Sequence, residues 1–201
     1  DPGGMNGQRG RLDAKGFAVI GYGKPGGIEL GYGSDLDLVF IHALEEQSET
    51  DGKKSISGAE FAIRVAQKFM SLMTTQTLDG RVYEIDTRLR PSGEAGMLVT
   101  SLKAYEHYQQ KSAWLWEHQA LVRARSIAGD TDLCQQFEQI RCQILTQVRD
   151  EDEVRQEVLK MRQKMKDHLG SSTEQKKHGI FHLKQDSGGI VDIEFMAQYA
   201  V

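Results

Sequence analysis

Two aspartates, Asp35 and Asp37, stand two positions apart in an apolar run that follows a glycine-rich segment. Because side chains two residues apart on a strand share a face, this spacing predicts that both carboxylates point the same way. Two like charges on one face repel each other, and aspartate is a poor strand former. A divalent cation removes the conflict, since Mg²⁺ takes carboxylate oxygens and shares them with phosphates. The alternative is a pair of solvated side chains on an edge strand.

The glycine-rich segment before the pair predicts a turn whose backbone N–H groups approach a ligand without side chains in the way. Pro25 suits the first position of a short helix through residues 28–30, whose N-terminal N–H groups would face an anion. A glycine-rich turn alone is usually only a turn. Its combination with Ser34 and the two aspartates in one span favours a metal or nucleotide site.

A third acidic candidate, Asp86, lies in residues 82–90, whose alternating pattern predicts a strand. The face that carries Asp86 would also carry Arg88 and Arg90. This pattern is typical of a half-exposed antiparallel strand with weak salt bridges. The alternative places Asp86 beside the first two aspartates and turns the arginines towards a phosphate or a nucleobase.

The elements that would position these residues follow from hydrophobic periodicity and helix caps. From about residue 102 onward the pattern is mainly helical, and Arg123 and Arg125 are expected on an exposed helix surface, with phosphate binding as the alternative. The last stretch predicts an extended segment, a turn at Gly188 and Gly189, and a helix. The other predicted elements are strands at residues 17–20 and 36–42 and helices at about 57–77, 130–145 and 152–169.

Composition limits the class of protein. The chain has 201 residues, 39% hydrophobic and 27% charged, which is typical of a globular protein with a sizeable core. Its net charge of −4 provides no overall basic field for nucleic acid. Cys134 and Cys142 would lie about 12 Å apart on a helix, too far for a disulfide. Unpaired cysteines, no bilayer-length apolar run and no signal pattern predict a cytoplasmic protein without membrane partners.

Three ordered segments resemble the nucleotidyltransferase superfamily with the polymerase-β-like palm, and more closely the bacterial glutamine synthetase adenylyltransferase family. They are residues 21–40, 83–93 and 184–198, and residues 116–125 are also similar. The resemblance covers roughly residues 17–201. It implies an α+β fold, in which a palm with a mixed sheet and flanking helices is followed by a helical bundle. The expected regions are a disordered lead (1–15), a nucleotidyltransferase domain (16–125) and a helical domain truncated at its C-terminal end (126–201).

The resemblance also implies roles for individual residues. Asp35, Asp37 and Asp86 are expected to be the catalytic residues and to coordinate two Mg²⁺ ions, with ATP as substrate. Asp86 is also a candidate acceptor for the proton of the incoming hydroxyl. The residues expected to bind the nucleotide are Gly26, Gly27, Ser34, Lys24, Arg88, Arg90 and Lys184.

Enzymes of that family have two related halves: one transfers AMP from ATP to a tyrosine of glutamine synthetase, and the other removes it by phosphorolysis. Tyr22, Gly31, Leu36 and Asp192 resemble the C-terminal, adenylylating half. The implied function is adenylylation that regulates nitrogen assimilation, with the signalling protein PII and glutamine acting through the full-length enzyme.

Two other functions stay open: the deadenylylating half, and a catalytically degenerate palm that senses nucleotides. A template-directed polymerase is disfavoured by the acidic charge balance and the absence of a basic, aromatic-studded groove. One departure from the family is Pro25, where leucine is usual. A proline at this position is able to shift the Gly26–Gly27 backbone and to weaken triphosphate binding.

Overall fold

A computed structural model describes residues 15–45, 47–50, 54–78, 80 and 83–200. Apart from residue 15, the predicted disordered lead therefore lies outside the described residues. The chain forms two compact units. The first consists of Asp1–Ala113 and Arg123–Ile144, and the second of Trp114–Val122 and Leu145–Val201.

The first unit is built on a mixed sheet with five strands among the described residues. β1 (Phe17–Gly21) pairs antiparallel with β2 (Leu36–His42), which confirms the two strands predicted there. β2 also pairs in parallel with β3 (Ile85–Asp86) and with β4 (Val99–Ser101). β5 (Arg125–Gly129) pairs antiparallel with the other edge of β1. β4 and β5 were not predicted.

Helices flank this sheet. The long helix predicted near residues 57–77 is present, and it begins where the Ser57 side chain accepts the Glu60 backbone N–H. The helix predicted at about residues 130–145 is also present, and it begins where the Asp130 carboxylate accepts the N–H groups of Asp132 and Leu133. The helices of this unit are α1 (Gly23–Gly26), α2 (Gly58–Met73), α3 (Leu102–Lys111) and α5 (Thr131–Leu145).

The strand β2 is buried along almost its whole length. Leu36, Leu38 and Phe40 pack against Val19 and against α2, as their alternation with the aspartates predicted. Val39 and Ile41, on the other face, are also buried. Asp37 is therefore a half-buried polar residue near the start of a strand whose residues 38–41 are apolar and buried. Placing it there has an electrostatic cost that a nearby positive charge would offset.

The strand predicted over residues 82–90 is wrong beyond Ile85–Asp86, and its pairing is parallel to β2 rather than antiparallel. Residue 82 lies outside the described residues. The chain turns at 88–89 because the Asp86 carboxylate accepts the Arg88 backbone N–H at 2.8 Å. The Arg90 side chain closes the following loop by donating to the Thr87 carbonyl oxygen at 2.8 Å. Arg88 and Arg90 therefore do not continue a strand face.

The helix predicted through residues 28–30 is also wrong. α1 ends at Gly26, and Ile28 has a φ of +59°, a left-handed conformation that interrupts a helix. Pro25 is the third helical residue rather than the first. Its missing N–H still removes no helical hydrogen bond, because the first four N–H groups of a helix have no partner within it.

Arg123 and Arg125 do not lie on a helix surface, which corrects the prediction. Arg125 begins β5, and Arg123 precedes it. Because this strand pairs with β1 and leads into α5, residues 123–144 group with the sheet. The compact units therefore differ from the predicted division after residue 125.

The second unit contains α4 (Leu115–Leu121), α6 (Glu151–Leu169), α7 (Thr173–Lys177) and α8 (Ile190–Tyr199). α6 and α8 confirm the helices predicted near 152–169 and after the Gly188–Gly189 turn. The loop before α8 is organised by Asp186, whose carboxylate accepts the N–H groups of His182 and Ser171, each at 2.8 Å. These bonds lower the pKa of Asp186 to about 2. Within the described part of the chain, no helix is long and apolar enough to cross a membrane.

Candidate functional site

Asp37 and Asp86 are brought side by side by the pairing of β2 with β3. Leu36 is in register with Ile85, and Asp37 with Asp86. Aligned residues on parallel strands point to the same face, and such strands lie about 4.8 Å apart. The two carboxylates therefore share one face of the sheet, as one of the two alternatives for residues 82–90 predicted. Asp35 lies one residue before β2 and is exposed.

Asp86 is held by the arginine two residues further along the chain. The Arg88 Nε atom donates to both carboxylate oxygens, at 3.1 and 2.8 Å, and Nη2 donates to Oδ2 at 2.5 Å. These hydrogen bonds lower the pKa of Asp86, although partial burial acts in the opposite direction. Asp86 is therefore an ionised carboxylate at neutral pH. The charges of Arg88 and Asp37 also interact favourably.

The glycine-rich turn lies directly against Asp37. The Tyr22 backbone N–H donates to the Asp37 carbonyl oxygen at 2.9 Å. Gly23 has a φ of +53°, and a Cβ there would lie 2.9 Å from Asp37 Oδ2. A side chain at position 23 would therefore be strained and would crowd the carboxylate, so glycine keeps this approach to Asp37 open.

Gly26 and Gly27 are used by the fold itself. Their N–H groups donate to the carbonyl oxygens of Tyr22 at 3.3 Å and Gly23 at 2.9 Å. A Cβ on Gly26 would lie 1.8 Å from the Arg123 carbonyl oxygen, so only glycine fits there. Their predicted role in cradling phosphates stays a prediction, and in this conformation their N–H groups are already engaged.

Lys24 and Ser34 are brought together across the turn. Ser34 is buried, and its Oγ lies 3.4 Å from Lys24 Nζ and accepts the Gly31 N–H at 3.3 Å. Lys24 is exposed. An ammonium group and a hydroxyl at one end of the turn are donors that a phosphate oxygen can use.

Arg90 is engaged in hydrogen bonds within its own loop, whereas Lys184 is exposed. Arg90 donates to the carbonyl oxygens of Thr87, Glu94 and Gly96, so most of its donors hold the loop after β3. Lys184 is an exposed residue of the second unit. Their predicted phosphate contacts stay predictions.

Two arginines that sequence reasoning placed on a helix instead brace the turn. Arg123 forms a salt bridge with Glu29, with Nη2 and Oε2 2.7 Å apart. Arg125 donates to the Pro25 carbonyl oxygen at 3.2 Å. Both arginines lie in the segment 116–125, and its similarity to the family was the signal that could have identified them as part of this site.

The donors present suit a hard cation, because carboxylate oxygens are the ligands that Mg²⁺ prefers. Nevertheless, across the described residues no group of three or more histidines, cysteines, aspartates or glutamates is arranged to hold a metal ion. The Asp86 carboxylate is turned to Arg88. The residue types and the strand register fit a cation, and coordination by all three aspartates requires Arg88 to release Asp86.

Comparison with known proteins gives a consistent set of matches. The family model described as glutamate-ammonia ligase adenylyltransferase matches residues 3–140. The bifunctional glutamine synthetase adenylyltransferase/adenylyl-removing enzyme of Acinetobacter baylyi is 83% identical over 196 residues, covering 98% of this chain and 21% of that protein. The enzymes with the same name from Mannheimia haemolytica and Vibrio parahaemolyticus are 57% and 54% identical, each over 94% of this chain. They are covered over 19% and 20% of their own length, so the chain spans about a fifth of these curated relatives.

Proposed function

Because this chain belongs to the glutamate-ammonia ligase adenylyltransferase family, we propose that its first unit is a nucleotidyltransferase palm that moves AMP from ATP to a tyrosine hydroxyl of glutamine synthetase. The observation that carries the proposal is the alignment of Asp37 with Asp86 on adjacent parallel strands, beside the glycine-rich turn. The three strands that pair with β2 and the flanking helices are compatible with the polymerase-β-like palm that the sequence predicts.

In the proposed reaction the tyrosine oxygen forms a bond to the α-phosphorus of ATP while the bond from that phosphorus to the bridging oxygen of pyrophosphate breaks. Asp35, Asp37 and Asp86 would hold two Mg²⁺ ions, which when bound lower the pKa of the attacking hydroxyl and neutralise phosphate charge. Because Arg88 lowers the pKa of Asp86, this carboxylate is a weak base. We therefore propose that Asp86 holds positive charge, and that it becomes the acceptor for the tyrosine proton only after Arg88 has released it.

The phosphates of ATP would be held first by Lys24 and Ser34. These two side chains lie together at the open end of the turn, whereas the N–H groups of Gly26 and Gly27 are already engaged. Arg88 would join them on releasing Asp86, because its guanidinium is exposed.

The test is transfer of label from α-labelled ATP to glutamine synthetase in the presence of Mg²⁺. We expect Asp37→Asn to reduce transfer at least about a hundredfold, since it removes a carboxylate proposed to hold the cations that neutralise the phosphate charge. Asp132→Asn changes an exposed aspartate of α5 in the same unit and is the matched control. Parent-like transfer by Asp37→Asn would refute the assignment.

The adenylyl-removing activity is a second candidate, because the names of the three relatives contain both activities. We favour the adenylylating half on the residues Tyr22, Gly31, Leu36 and Asp192. AMP-modified glutamine synthetase supplied with phosphate separates the two halves. Formation of ADP would assign the chain to the removing half, and its absence together with label transfer would assign it to the adenylylating half.

A nucleotide-sensing module without turnover is a third candidate, favoured by the closed Asp86–Arg88 pair. Calorimetry with ATP and Mg²⁺, run beside the transfer assay, distinguishes it by binding without label transfer. For the longer protein we propose glutamine synthetase as the protein substrate, and PII and glutamine as regulators. The proposed setting is regulation of nitrogen assimilation in the cytoplasm.

A further inference from the structure

A cavity of about 430 Å³ opens within the second unit, bounded by α4, the segment before α6 and the end of α8. This volume falls in the range of small-molecule sites, roughly 300–1,000 Å³. No aspartate of the proposed catalytic group contributes to its lining. Its wall includes Leu115, His118, Gln119, Leu145, Arg149 and Tyr199.

Gln119 gives this cavity an unsatisfied donor. The residue is 7% exposed, and its side-chain amide nitrogen has no hydrogen-bond partner among the residues that the structure describes. A buried donor without an acceptor destabilises a fold, so native structures normally provide a partner. A ligand atom with a lone pair that enters the cavity would supply that partner.

Arg149 brings a positive charge to the same wall. Its Nη2 atom lies 3.2 Å from His118 Nδ1, and Nη1 donates to the Gln147 carbonyl oxygen at 3.1 Å. Because arginine only donates, Nδ1 is the acceptor in this contact. Partial burial lowers the pKa of Arg149, so its charge is incompletely solvated. The cavity thus combines one cationic fork with neutral donors.

We propose that this cavity binds a small organic monocarboxylate, with the carboxylate held by Arg149 and the Gln119 amide. A planar guanidinium matches a carboxylate through parallel N–H bonds. Leu115, Leu145 and Val154 form the apolar part of the wall for the carbon chain.

A phosphate dianion fits this wall less well. Among the residues that line the cavity, all within the described part of the chain, Arg149 is the one arginine or lysine, and Glu151 adds a negative charge. The proposal concerns a site other than the aspartates and does not depend on the adenylyltransferase assignment.

The test is an NMR titration of the full ¹⁵N-labelled chain with hexanoate, hexanamide and inorganic phosphate, followed at the Gln119 side-chain amide. We expect hexanoate to shift this resonance saturably and to bind about tenfold more tightly than hexanamide, the effect of one charge-assisted hydrogen bond. Hexanamide binding equal to hexanoate, phosphate binding as tight as hexanoate, or no saturable shift would each overturn the proposal.

Variants separate the site from general charge effects. Arg149→Gln should weaken hexanoate about tenfold, whereas Arg155→Gln, an exposed position on α6, should leave it unchanged. If circular dichroism shows that Arg149→Gln is unfolded, two other variants replace it. Arg149→Lys keeps the positive charge and loses the paired N–H donors of the guanidinium. Gln119→Leu removes the amide, so binding to it is followed at the Tyr199 resonance. Parent-like hexanoate affinity in the folded variants, or an equal loss in Arg155→Gln, would contradict the assignment.

Discussion

Gly26→Ala tests whether position 26 of the glycine-rich turn requires glycine for packing of the fold rather than for ligand binding. A Cβ at this position would lie 1.8 Å from the Arg123 carbonyl oxygen and 2.7 Å from that of Gly21. Both are backbone atoms of the sheet unit, so neither can move aside as the end of a side chain can. Overpacking of this kind costs about 1–3 kcal/mol, and the backbone contact places Gly26→Ala at about 3 kcal/mol.

Gly27→Ala and Gly33→Ala are matched controls. The Cβ of an alanine at position 27 would meet the Arg123 guanidinium at 3.0 Å and the Glu29 carboxylate at 3.1 Å, and both are ends of flexible side chains. We expect a cost below about 0.5 kcal/mol. Position 33 has open space but a φ of +73°, so alanine there should cost about 1 kcal/mol. The expected order of destabilisation is position 26, then 33, then 27.

The assay is urea unfolding followed by far-ultraviolet circular dichroism, with a thermal melt as a second measurement. At about 2–4 °C per kcal/mol for a chain of this size, Gly26→Ala should lower the midpoint by about 6–12 °C. Equal midpoints for Gly26→Ala and Gly27→Ala would refute the packing argument. A folded, parent-stable Gly26→Ala that loses only ATP binding would show that position 26 serves the ligand instead.

Three further predictions concern charged groups. Arg88→Gln should raise the pKa of Asp86 towards its ordinary value, because the hydrogen bonds that stabilise the carboxylate are lost; carboxyl-carbon NMR titration measures this, and an unchanged pKa contradicts it. Arg162→Gln should lower the free energy of unfolding of the second unit by about 2 kcal/mol, measured in urea, because Arg162 is mostly buried and paired with Asp192. If replacing an exposed arginine on α6 by glutamine cost as much, this prediction would be wrong. The pKa of Asp186 is lowered to about 2, so the stability that its ionised carboxylate supplies is complete above about pH 4 and is lost as pH falls through 2. Asp186→Asn should therefore make the urea midpoint depend less on pH between about pH 4 and 2.

The site shows where sequence reasoning succeeded and where it could not. The adjacency of Asp86 to Asp37 was one of two alternatives, and the register of β2 with β3 decides between them. The direction of the Arg88 side chain was not foreseeable, because the alternating pattern of residues 82–90 predicts a strand. That pattern contains no information about the turn in which the Asp86 carboxylate accepts the Arg88 backbone N–H. The same limit explains why β5 was missed, since Arg125 follows a helical pattern closely.

The amino-acid sequence by itself determined the local elements: β1 and β2, α2, α5 and α6 follow from periodicity and from caps such as Ser57 and Asp130, which act within a few residues. The tertiary structure alone decided which strands pair and that Gly26 packs on the Arg123 backbone. The physical reason is the sequence separation between the residues that interact. Helix caps and hydrophobic periodicity depend on neighbours along the chain, whereas strand register and close backbone packing depend on segments far apart in sequence, whose partners no local pattern identifies.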